Sequence, residues 1–262
     1  MVGADGVQSN VRRLVFGDDT RFRRDLGLSV SVFSLPNFLD LDRTGLLYGV
    51  PGKTASIYSA RGNREAIAML FFTASPGAGD RYGGVKPGRE IVADVFGGEA
   101  WYVPRLLQEM WQAMDFYFDT ASQVHMDRWS DGRVVLIGDA GYAGGPGGNG
   151  TGGAVVAAYI LAGELAAAGG DYGTAFARYE RLLRHYVAAS QKQAASAANF
   201  LAPATWKKIH QRNRFFKLLP YLPIQGLIRK LENRTASAIK LPEYLVPPAL
   251  NAADSTAAIE PL

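Results

Sequence analysis

A glycine-rich loop between an apolar strand and a helix is the feature that most constrains the fold of this chain. Residues 134–137 form an uninterrupted apolar run, which is typical of a strand buried on both faces in a layered α/β sheet. Asp139 follows at the carboxyl end of that strand, where open α/β sheets bind their ligands. A helix is predicted over residues 152–168, and its N-terminus offers unpaired N–H groups and a partial positive charge. The pattern predicts a ligand site at this loop.

Two familiar phosphate-binding loops do not fit this sequence. A Walker-type loop needs a Lys-Ser or Lys-Thr pair after its last glycine, and residues 141–153 contain no lysine. Gly148, Gly150 and Gly153 match the GxGxxG spacing, but the first glycine of a dinucleotide fingerprint follows its strand almost directly. Here Gly148 lies ten positions after Gly138, and a further helix rather than a second strand follows. The match is therefore not interpreted as a dinucleotide fingerprint.

The N-terminal segment carries a second motif. Asp5 and Gly6 predict a tight turn, and Ser9 is a plausible N-cap for a short helix that extends through Leu14. On these grounds alone, the segment needs no role beyond a turn and a capped helix. Residues 3–12 read GADGVQSNVR, and they precede the glycine-rich loop in the chain. This order matters for the comparison with known motifs.

Together, the two segments resemble the flavin motifs of one enzyme family. The glycine-rich loop is similar to the second flavin motif of the FAD-dependent monooxygenases of the p-hydroxybenzoate hydroxylase type, the group A aromatic hydroxylases. The matching positions are Gly138, Asp139, Ala140, Pro146, Gly148 and Gly150. Residues 3–12 resemble the Asp-Gly motif of the same family, which precedes the substrate domain, whereas the loop motif follows it. Two motifs in the family's order carry more weight than either motif alone.

The resemblance implies roles for ten residues. Asp139 would hold a ribityl or ribose hydroxyl of FAD. The backbone of residues 148–152 would face the pyrimidine edge of the isoalloxazine, where a helix N-terminus stabilises negative charge on the reduced ring. Asp5 and Arg12 would lie near the cofactor pyrophosphates, in a motif that the family links to both FAD and reduced nicotinamide. The implied cofactor-binding positions are Asp5, Arg12, Asp139, Pro146, Gly147, Gly148, Asn149, Gly150, Thr151 and Gly152.

The activity that the resemblance implies follows the cofactor, so no catalytic side chain is assigned. Reduced NAD(P)H would reduce FAD, and molecular oxygen would add to the flavin as a C4a-hydroperoxide. That species would hydroxylate a small aromatic or polyketide-like substrate. Residues 150–165 look most similar to the branch that contains tetracycline-inactivating and polyketide-modifying monooxygenases. The identity of the substrate does not follow from this similarity.

Three departures from the family pattern leave alternatives open. Family members begin with a GxGxxG strand and helix that bind the ADP half of FAD, so about 150 residues are expected upstream. Gly141 and Tyr142 replace the more usual Ala-His, and the interval from Pro146 to Gly148 is one residue shorter than usual. The alternatives are an inactive or split-enzyme fragment, and an interaction protein that uses its basic C-terminal segment.

The predicted fold class is α/β, with an incomplete FAD-binding Rossmann-like domain, an antiparallel or mixed-sheet substrate domain, and a C-terminal helical region. The predicted divisions are 1–20 (Asp-Gly motif), 21–128 (substrate sheet), 129–170 (Gly-Asp motif and helix) and 171–262 (helices). The substrate sheet is expected to contain strands at 29–33, 45–50, 54–60, 66–73, 115–118 and 123–129, with helices at 89–96 and 104–114. The aromatic residues that could line a pocket, although core packing is the favoured interpretation, are Phe71, Phe72, Trp101, Tyr102, Phe116 and Phe118.

Composition limits the remaining classes. Hydrophobic residues make up 48% and charged residues 20% of the chain, which is typical of a globular protein. The absence of cysteine excludes disulfides and thiol catalysis, and the three separated histidines argue against a metal site. The most apolar stretch, residues 154–162, is interrupted by Gly163 and Glu164, so no membrane span is predicted. A cytoplasmic location is the default expectation.

The positive charge of the chain is concentrated in one segment. Residues 203–240 contain nine Lys or Arg residues and one acid, Glu232, a local charge of +8, whereas the whole chain carries +4. Because aromatic and aliphatic residues are interleaved with the charge, weak membrane-surface contact or an acidic partner is one interpretation. Nucleic acid is not expected, since no recognised binding motif accompanies the charge. A solvated helical cap over the core is the favoured interpretation.

Overall fold

The computed structural model describes residues 1–73, 87–147, 149–219, 239 and 241–244. The strands of this part of the chain are β1 (Val2–Gly3), β2 (Arg23–Pro36), β3 (Gly45–Val50), β4 (Lys53–Ala60), β5 (Glu65–Thr73), β6 (Tyr117–Val124), β7 (Ser130–Asp131) and β8 (Val134–Leu136). The helices are α1 (Asn10–Phe16), α2 (Gly88–Phe96), α3 (Val103–Gln112), α4 (Asp139–Tyr142), α5 (Gly150–Ala167), α6 (Tyr172–Leu201) and α7 (Trp206–Leu218), and a 3-10 turn spans Asp19–Arg21.

The smaller sheet contains the strand that leads into the glycine-rich loop. Its order is β1-β8-β7, so β8 is the central strand, and this explains the apolar run at residues 134–137. β1 pairs with β8 in parallel, with Val2 opposite Val135, whereas β7 and β8 form an antiparallel hairpin. Val135 and Leu136 are fully buried. The predicted buried strand is confirmed, and the parallel pairing brings the two sequence motifs side by side.

The larger sheet is antiparallel throughout, in the order β3-β4-β5-β2-β6. Its strands β3, β4 and β5 follow one another as a meander, as their alternating pattern predicts. β2 is longer than expected, at 14 residues, because it pairs with β5 on one side and β6 on the other. The larger sheet is confirmed, and β6 is its edge strand.

The structure of β6 corrects the prediction of two strands at 115–118 and 123–129. It is a single strand that pairs with β2, from Tyr117 opposite Val32 to Val124 opposite Arg23. The polar residues in the middle of β6 interrupt the alternation of apolar residues by which a strand is usually predicted. The long β2 nevertheless supplies hydrogen-bonding partners to both halves of β6. A bulge in β2 takes up the resulting shift in register.

The two faces of the larger sheet differ in what covers them. Helices α2 and α3 bury one face in a hydrophobic core. Core packing is confirmed for five of the six aromatic candidates, of which Phe72, Trp101, Phe116 and Phe118 lie in this core and Phe71 lies on the other face, whereas Tyr102 is 38% exposed. The opposite face holds a smaller cluster that includes Leu28, Phe71 and Ala121. This second face lies toward the glycine-rich loop, so it is the one that can contribute to a ligand site.

A second hydrophobic core joins β8 to the C-terminal helices. Helices α5 and α6 pack against each other and bury Ala157, Ile160, Tyr179 and Leu183 together with strand β8. The helix predicted at residues 152–168 is confirmed as α5. The predicted α/β class, with an antiparallel sheet and a C-terminal helical region, is confirmed as well.

Helix α5 is more apolar than the sequence analysis allowed. Its mean hydropathy over 18 residues is 1.3, so by length and composition alone it could cross a membrane. The expectation drawn from residues 154–162 was too strict, because Glu164 is the only charged residue of the whole helix. In the fold, 33% of the helix is buried, and Gly153, Ala157 and Ile160 face the core. One face of the helix therefore packs in the core, whereas Val155 and Tyr159 on other faces are exposed.

Helix α7 contains the described part of the basic segment. Thr205 caps its N-terminus, and Lys207 and Lys208 are exposed to solvent. Arg212 instead points inward, with only 5% exposure, and its Nη1 donates to Thr54 Oγ1 at 3.0 Å. Burial lowers the pKa of Arg212. The charge of the segment is therefore not all on the surface, and residues 220–238 and 240 lie outside the described ranges.

The helix-covered core of the larger sheet can be tested with a pair of cross-strand neighbours. Ile57→Ala is expected to lower the free energy of unfolding by about 3 kcal/mol, because the fully buried side chain leaves a cavity. Its partner Leu46 is 38% exposed, so Leu46→Ala should cost less than about 1 kcal/mol. Chemical denaturation followed by circular dichroism measures both values. Equal losses would contradict this assignment of the core.

Candidate functional site

Asp139 lies at the point where strand β8 turns into the glycine-rich loop. Gly138 makes this turn with φ +60°, and a Cβ there would lie 3.2 Å from Ala154 Cβ, so only glycine suits the position. The Asp139 side chain is next to the start of α5, because a Cβ on Gly150 would lie 3.7 Å from its Oδ1. Burial of the Asp139 carboxyl group raises its pKa above the usual value. A carboxylate and a helix N-terminus therefore meet at this corner, as predicted.

The loop after α4 is held against helix α6. Pro146 and Gly147 form a turn in which Gly147 has φ +77°. A Cβ on Gly147 would lie only 2.6 Å from Ala197 Cβ, so the loop backbone sits directly on α6. Gln193 Nε2 also donates to the Gly147 carbonyl at 3.1 Å. Gly148, another predicted cofactor residue, lies outside the described residues.

The first turn of α5 presents mainly backbone toward the loop. Asn149 precedes the helix, and its carbonyl accepts from Gly153 N at 2.7 Å and from Tyr186 Oη at 3.4 Å. The N–H groups of Gly150, Thr151 and Gly152 come before the first full helical hydrogen bonds, so a ligand can use them. Thr151 is exposed. These residues offer a set of donors and a partial positive charge beside Asp139.

Tyr142 anchors the other end of α4 in the core. Its hydroxyl lies 2.8 Å from Tyr179 Oη, and Tyr179 in turn donates to the Leu136 carbonyl at 3.1 Å. The Trp129 ring packs on Tyr142, with 4.4 Å between ring centroids. Burial raises the pKa of Tyr142 to about 12, so the hydroxyl stays neutral. Tyr142 therefore fixes the start of the loop, and packing is the role that these contacts assign to it.

The Asp-Gly motif is built around Asp5 and Ser9. Ser9 caps α1 as predicted, since its Oγ accepts from Arg12 N at 2.9 Å. Asp5 Oδ1 accepts from Ser9 Oγ at 2.5 Å, and Oδ2 accepts from Val11 N at 3.0 Å. Burial alone would raise the pKa of Asp5, but these hydrogen bonds outweigh it and hold the pKa below its usual value. Asp5 is therefore ionised and supports the start of the helix.

Arg12 connects the two motifs. Its side chain is completely buried, and Nη1 donates to the Ala140 carbonyl at 2.7 Å, directly after Asp139. Nη2 donates to the Val7 carbonyl at 2.6 Å, and Asp19 balances the charge at 2.5 Å. Both terminal nitrogens of the Arg12 guanidinium are therefore engaged by groups of the protein itself. Direct ligand contacts of Asp5 and Arg12 therefore stay predictions, and the contacts seen are structural.

A cavity of about 200 Å³ lies between the motifs and the larger sheet. Val7 of the Asp-Gly motif contributes to one side of it. The Gly-Asp motif contributes three of its predicted cofactor residues, Asp139, Pro146 and Gly150. Edge strand β6, together with Val30 of the neighbouring strand β2, supplies the wall formed by the larger sheet. Segments far apart in sequence thus converge on one space with a carboxylate and helix N–H groups at its border.

Two residues of this cavity, Tyr117 and Asp119, were not predicted from the sequence. Both lie on β6, and the Tyr117 hydroxyl donates to Asp119 Oδ2 at 2.8 Å. Burial and the hydrogen bond to Asp119 raise the pKa of Tyr117, and the nearby charge of Asp139 adds to this effect. The available signal was a pair of polar residues at alternate positions shortly before strand β8. This pattern indicates a shared face only if residues 117–124 form one continuous strand, which the pairing with β2 shows.

Comparisons with known proteins point to one enzyme family, although no protein-family model matches the chain. An uncharacterized protein of Mycobacterium tuberculosis is 44% identical over 192 residues, which are 73% of this chain and 51% of the relative. A flavin-dependent monooxygenase of Legionella longbeachae is 35% identical over 246 residues, covering 93% and 60%. An FAD-dependent monooxygenase of Sarocladium schorii is 31% identical over 264 residues, covering 93% and 59%.

Solved structures agree with these relatives. The tetracycline destructase Tet(55) is 36% identical, with a TM-score of 0.74, over 93% of this chain and 62% of that one. Klebsiella pneumoniae HpxO, complexed with FAD and uric acid, has a TM-score of 0.65 at 19% identity, over 92% and 60%, which shows a shared fold. The chain spans between 51% and 62% of the length of these relatives. The resemblance is confirmed, and the chain belongs to the FAD-dependent monooxygenases of the group A aromatic hydroxylase type.

Proposed function

We propose that this chain holds the isoalloxazine and ribityl part of FAD and is the substrate-facing portion of a monooxygenase for a small aromatic or polyketide-like compound. One observation carries the proposal. The cavity of about 200 Å³ is bordered by both flavin-type motifs and by the open face of the larger sheet. A cofactor in this space would lie between the loop and a wall that can contact substrate.

The residues present fit such a cofactor. Asp139 offers a hydrogen-bond acceptor for a ribityl hydroxyl, and Gly150 offers a backbone N–H group that no side chain covers. The partial positive charge of the 18-residue α5 is directed at the same corner, where it would stabilise an anionic ring. Val7, Ala143 and Pro146 provide apolar contact for a flat ring system. A dedicated cradle for the phosphates is not among these contacts.

Bound FAD would supply the oxidative chemistry, with NAD(P)H as the proposed electron donor and molecular oxygen as the proposed oxidant. The protein's share is to bind, to orient and to exclude water. Asp139 and the first turn of α5 would fix the cofactor, and Arg12 keeps the two motifs in register. The open face of β6 would position the substrate. The name of the 36% identical neighbour, a tetracycline destructase, supports a ring compound as substrate.

The proposed role of Asp139 can be tested by direct titration. Asp139→Ala is expected to weaken FAD binding at least about ten-fold, because a charge-assisted hydrogen bond to a ribityl hydroxyl is lost. Quenching of flavin fluorescence measures the affinity. Asp127→Ala is the matched control, since Asp127 is exposed and lies outside the cavity. Failure of the unmodified chain to take up FAD would reject the proposal, and equal affinities would reject the role of Asp139.

The pH dependence of FAD binding provides a second test. The pKa of Asp139 is raised by burial, so its carboxylate is protonated at a higher pH than that of an ordinary aspartate. Protonation removes the negatively charged acceptor, so FAD affinity is expected to fall as the pH drops through this raised pKa. The same titration with Asp139→Asn should be flat over that range. A parallel decline in both proteins would assign the effect to another group.

Gly150 allows cofactor binding to be separated from folding. Gly150→Ala is expected to leave stability unchanged or to raise it by up to about 1 kcal/mol, because alanine favours the helix. The added methyl would lie at the cofactor side of α5 and should weaken FAD binding several-fold. Gly173→Ala, near the start of α6 and away from the cavity, is the matched control for the helix effect. If both variants bind FAD equally well, the cofactor does not approach α5 here.

A further inference from the structure

The open face of β6 carries a fixed pair of polar side chains. Tyr117 and Asp119 are two positions apart on the strand, so both project to the face opposite Phe118, which packs in the helix-covered core. The Tyr117 hydroxyl donates to Asp119 Oδ2 at 2.8 Å, and the backbone N–H of Thr120 donates to Oδ1 at 2.8 Å. Each oxygen of the Asp119 carboxylate is thus held by one donor. The pair is oriented before any ligand arrives.

The charge balance of the cavity is one-sided. Asp119 and Asp139 both line it, whereas no Arg, Lys or His does so among the described residues. The other contributors include apolar residues such as Val7, Val30 and Ala121, which do not screen a charge as water would. A ligand that brings a carboxylate into this space would meet two negative charges without a compensating cation. Like charges so arranged select against that class of ligand.

The hydrogen-bonding capacity of the pair is also one-sided. Partial burial and the hydrogen bond to Asp119 raise the pKa of Tyr117 to about 12, so its single proton stays on the oxygen and is shared with Asp119. Each carboxylate oxygen of Asp119 has a lone pair left after its one donor. The pair therefore accepts hydrogen bonds and has no proton to give. A complementary ligand must supply the donor itself.

We infer that Asp119, positioned by Tyr117, makes this a site for neutral aromatic compounds that carry a hydroxyl donor and excludes aromatic carboxylates. This inference rests on the proposed function, because it names the substrate class of the same cavity. The hydroxyl of a phenol-type ring donates to Asp119, while the ring lies against Val30 and Ala121 on the sheet side of the cavity, opposite the loop side proposed for the flavin. A benzoate-type ring of the same size is repelled by the carboxylates of Asp119 and Asp139.

Two probes with the same ring system test the inference. 2-Naphthol is neutral and a hydrogen-bond donor at neutral pH, whereas 2-naphthoate is an anion. Equilibrium dialysis of each probe against the full chain, with and without saturating FAD, gives both affinities. We expect naphthol to bind at least about ten-fold more tightly than naphthoate. The comparison uses binding alone, so it does not require turnover.

Variants assign the preference to the pair. Asp119→Asn removes one charge with little change in shape, and it should reduce the ratio of the two affinities to about three-fold or less. Tyr117→Phe releases Asp119 and should weaken naphthol binding about two-fold to three-fold while naphthoate stays excluded. Asp127→Asn changes the net charge equally but outside the cavity, and it should leave the ratio unaltered. Circular dichroism and melting curves confirm that each variant is folded.

The outcomes separate this inference from the flavin proposal. If the chain takes up FAD but naphthoate binds as tightly as naphthol, the substrate-class inference is overturned and the flavin proposal stands. An unchanged ratio in Asp119→Asn overturns it too, as does an absence of binding by both probes. If FAD is not taken up, the flavin proposal fails, and the probe ratio measured on the chain alone still decides whether Asp119 selects neutral donors.

Discussion

One buried guanidinium holds the two halves of the candidate site together. Arg12 reaches from α1 to the Ala140 carbonyl, and it also holds the Val7 carbonyl of its own motif. Its charge is balanced by Asp19 and shielded completely from solvent. Only the Arg12 side of the pair is fully buried, since Asp19 keeps 23% of its side chain exposed. Loss of Asp19 would leave a buried charge without its counter-ion, which costs up to about 3–5 kcal/mol, so the approach of the two motifs is strongly determined. The cavity depends on this approach of the two motifs, because Val7 of one motif and Asp139 of the other both line the cavity.

The third wall of the cavity is a consequence of chain connectivity. Strand β6 is the edge of the larger sheet, and the chain passes from it through the β7–β8 hairpin to Asp139. The open face of the sheet and the glycine-rich loop are therefore parts of one continuous segment. Alternation along β6 then divides its side chains, with Phe118 in the core and Asp119 toward the cavity. Packing stability and ligand selection are thus assigned to opposite faces of the same strand.

Local signals made much of this site predictable. The strand before Asp139, the cap at Ser9 and the glycine-rich entry to α5 depend on residues close in sequence, and all three were found where the pattern placed them. The single strand β6 was not predictable, because its polar centre makes sense only beside the long β2. The contact between Arg12 and Ala140 joins residues 128 positions apart, so a local sequence pattern could not predict it.

The amino-acid sequence alone was sufficient to locate a candidate ligand site, since an acid after a buried strand and glycines at a helix start are short-range features. The sequence was also sufficient to recognise the family, because both motifs are short contiguous segments. Packing in three dimensions assigned Tyr117 and Asp119 to the same cavity as Asp139. It also turned Arg12 and Arg212 inward, despite their charge. Such assignments depend on long-range pairing and burial, which hydrophobic periodicity and motif spacing do not encode.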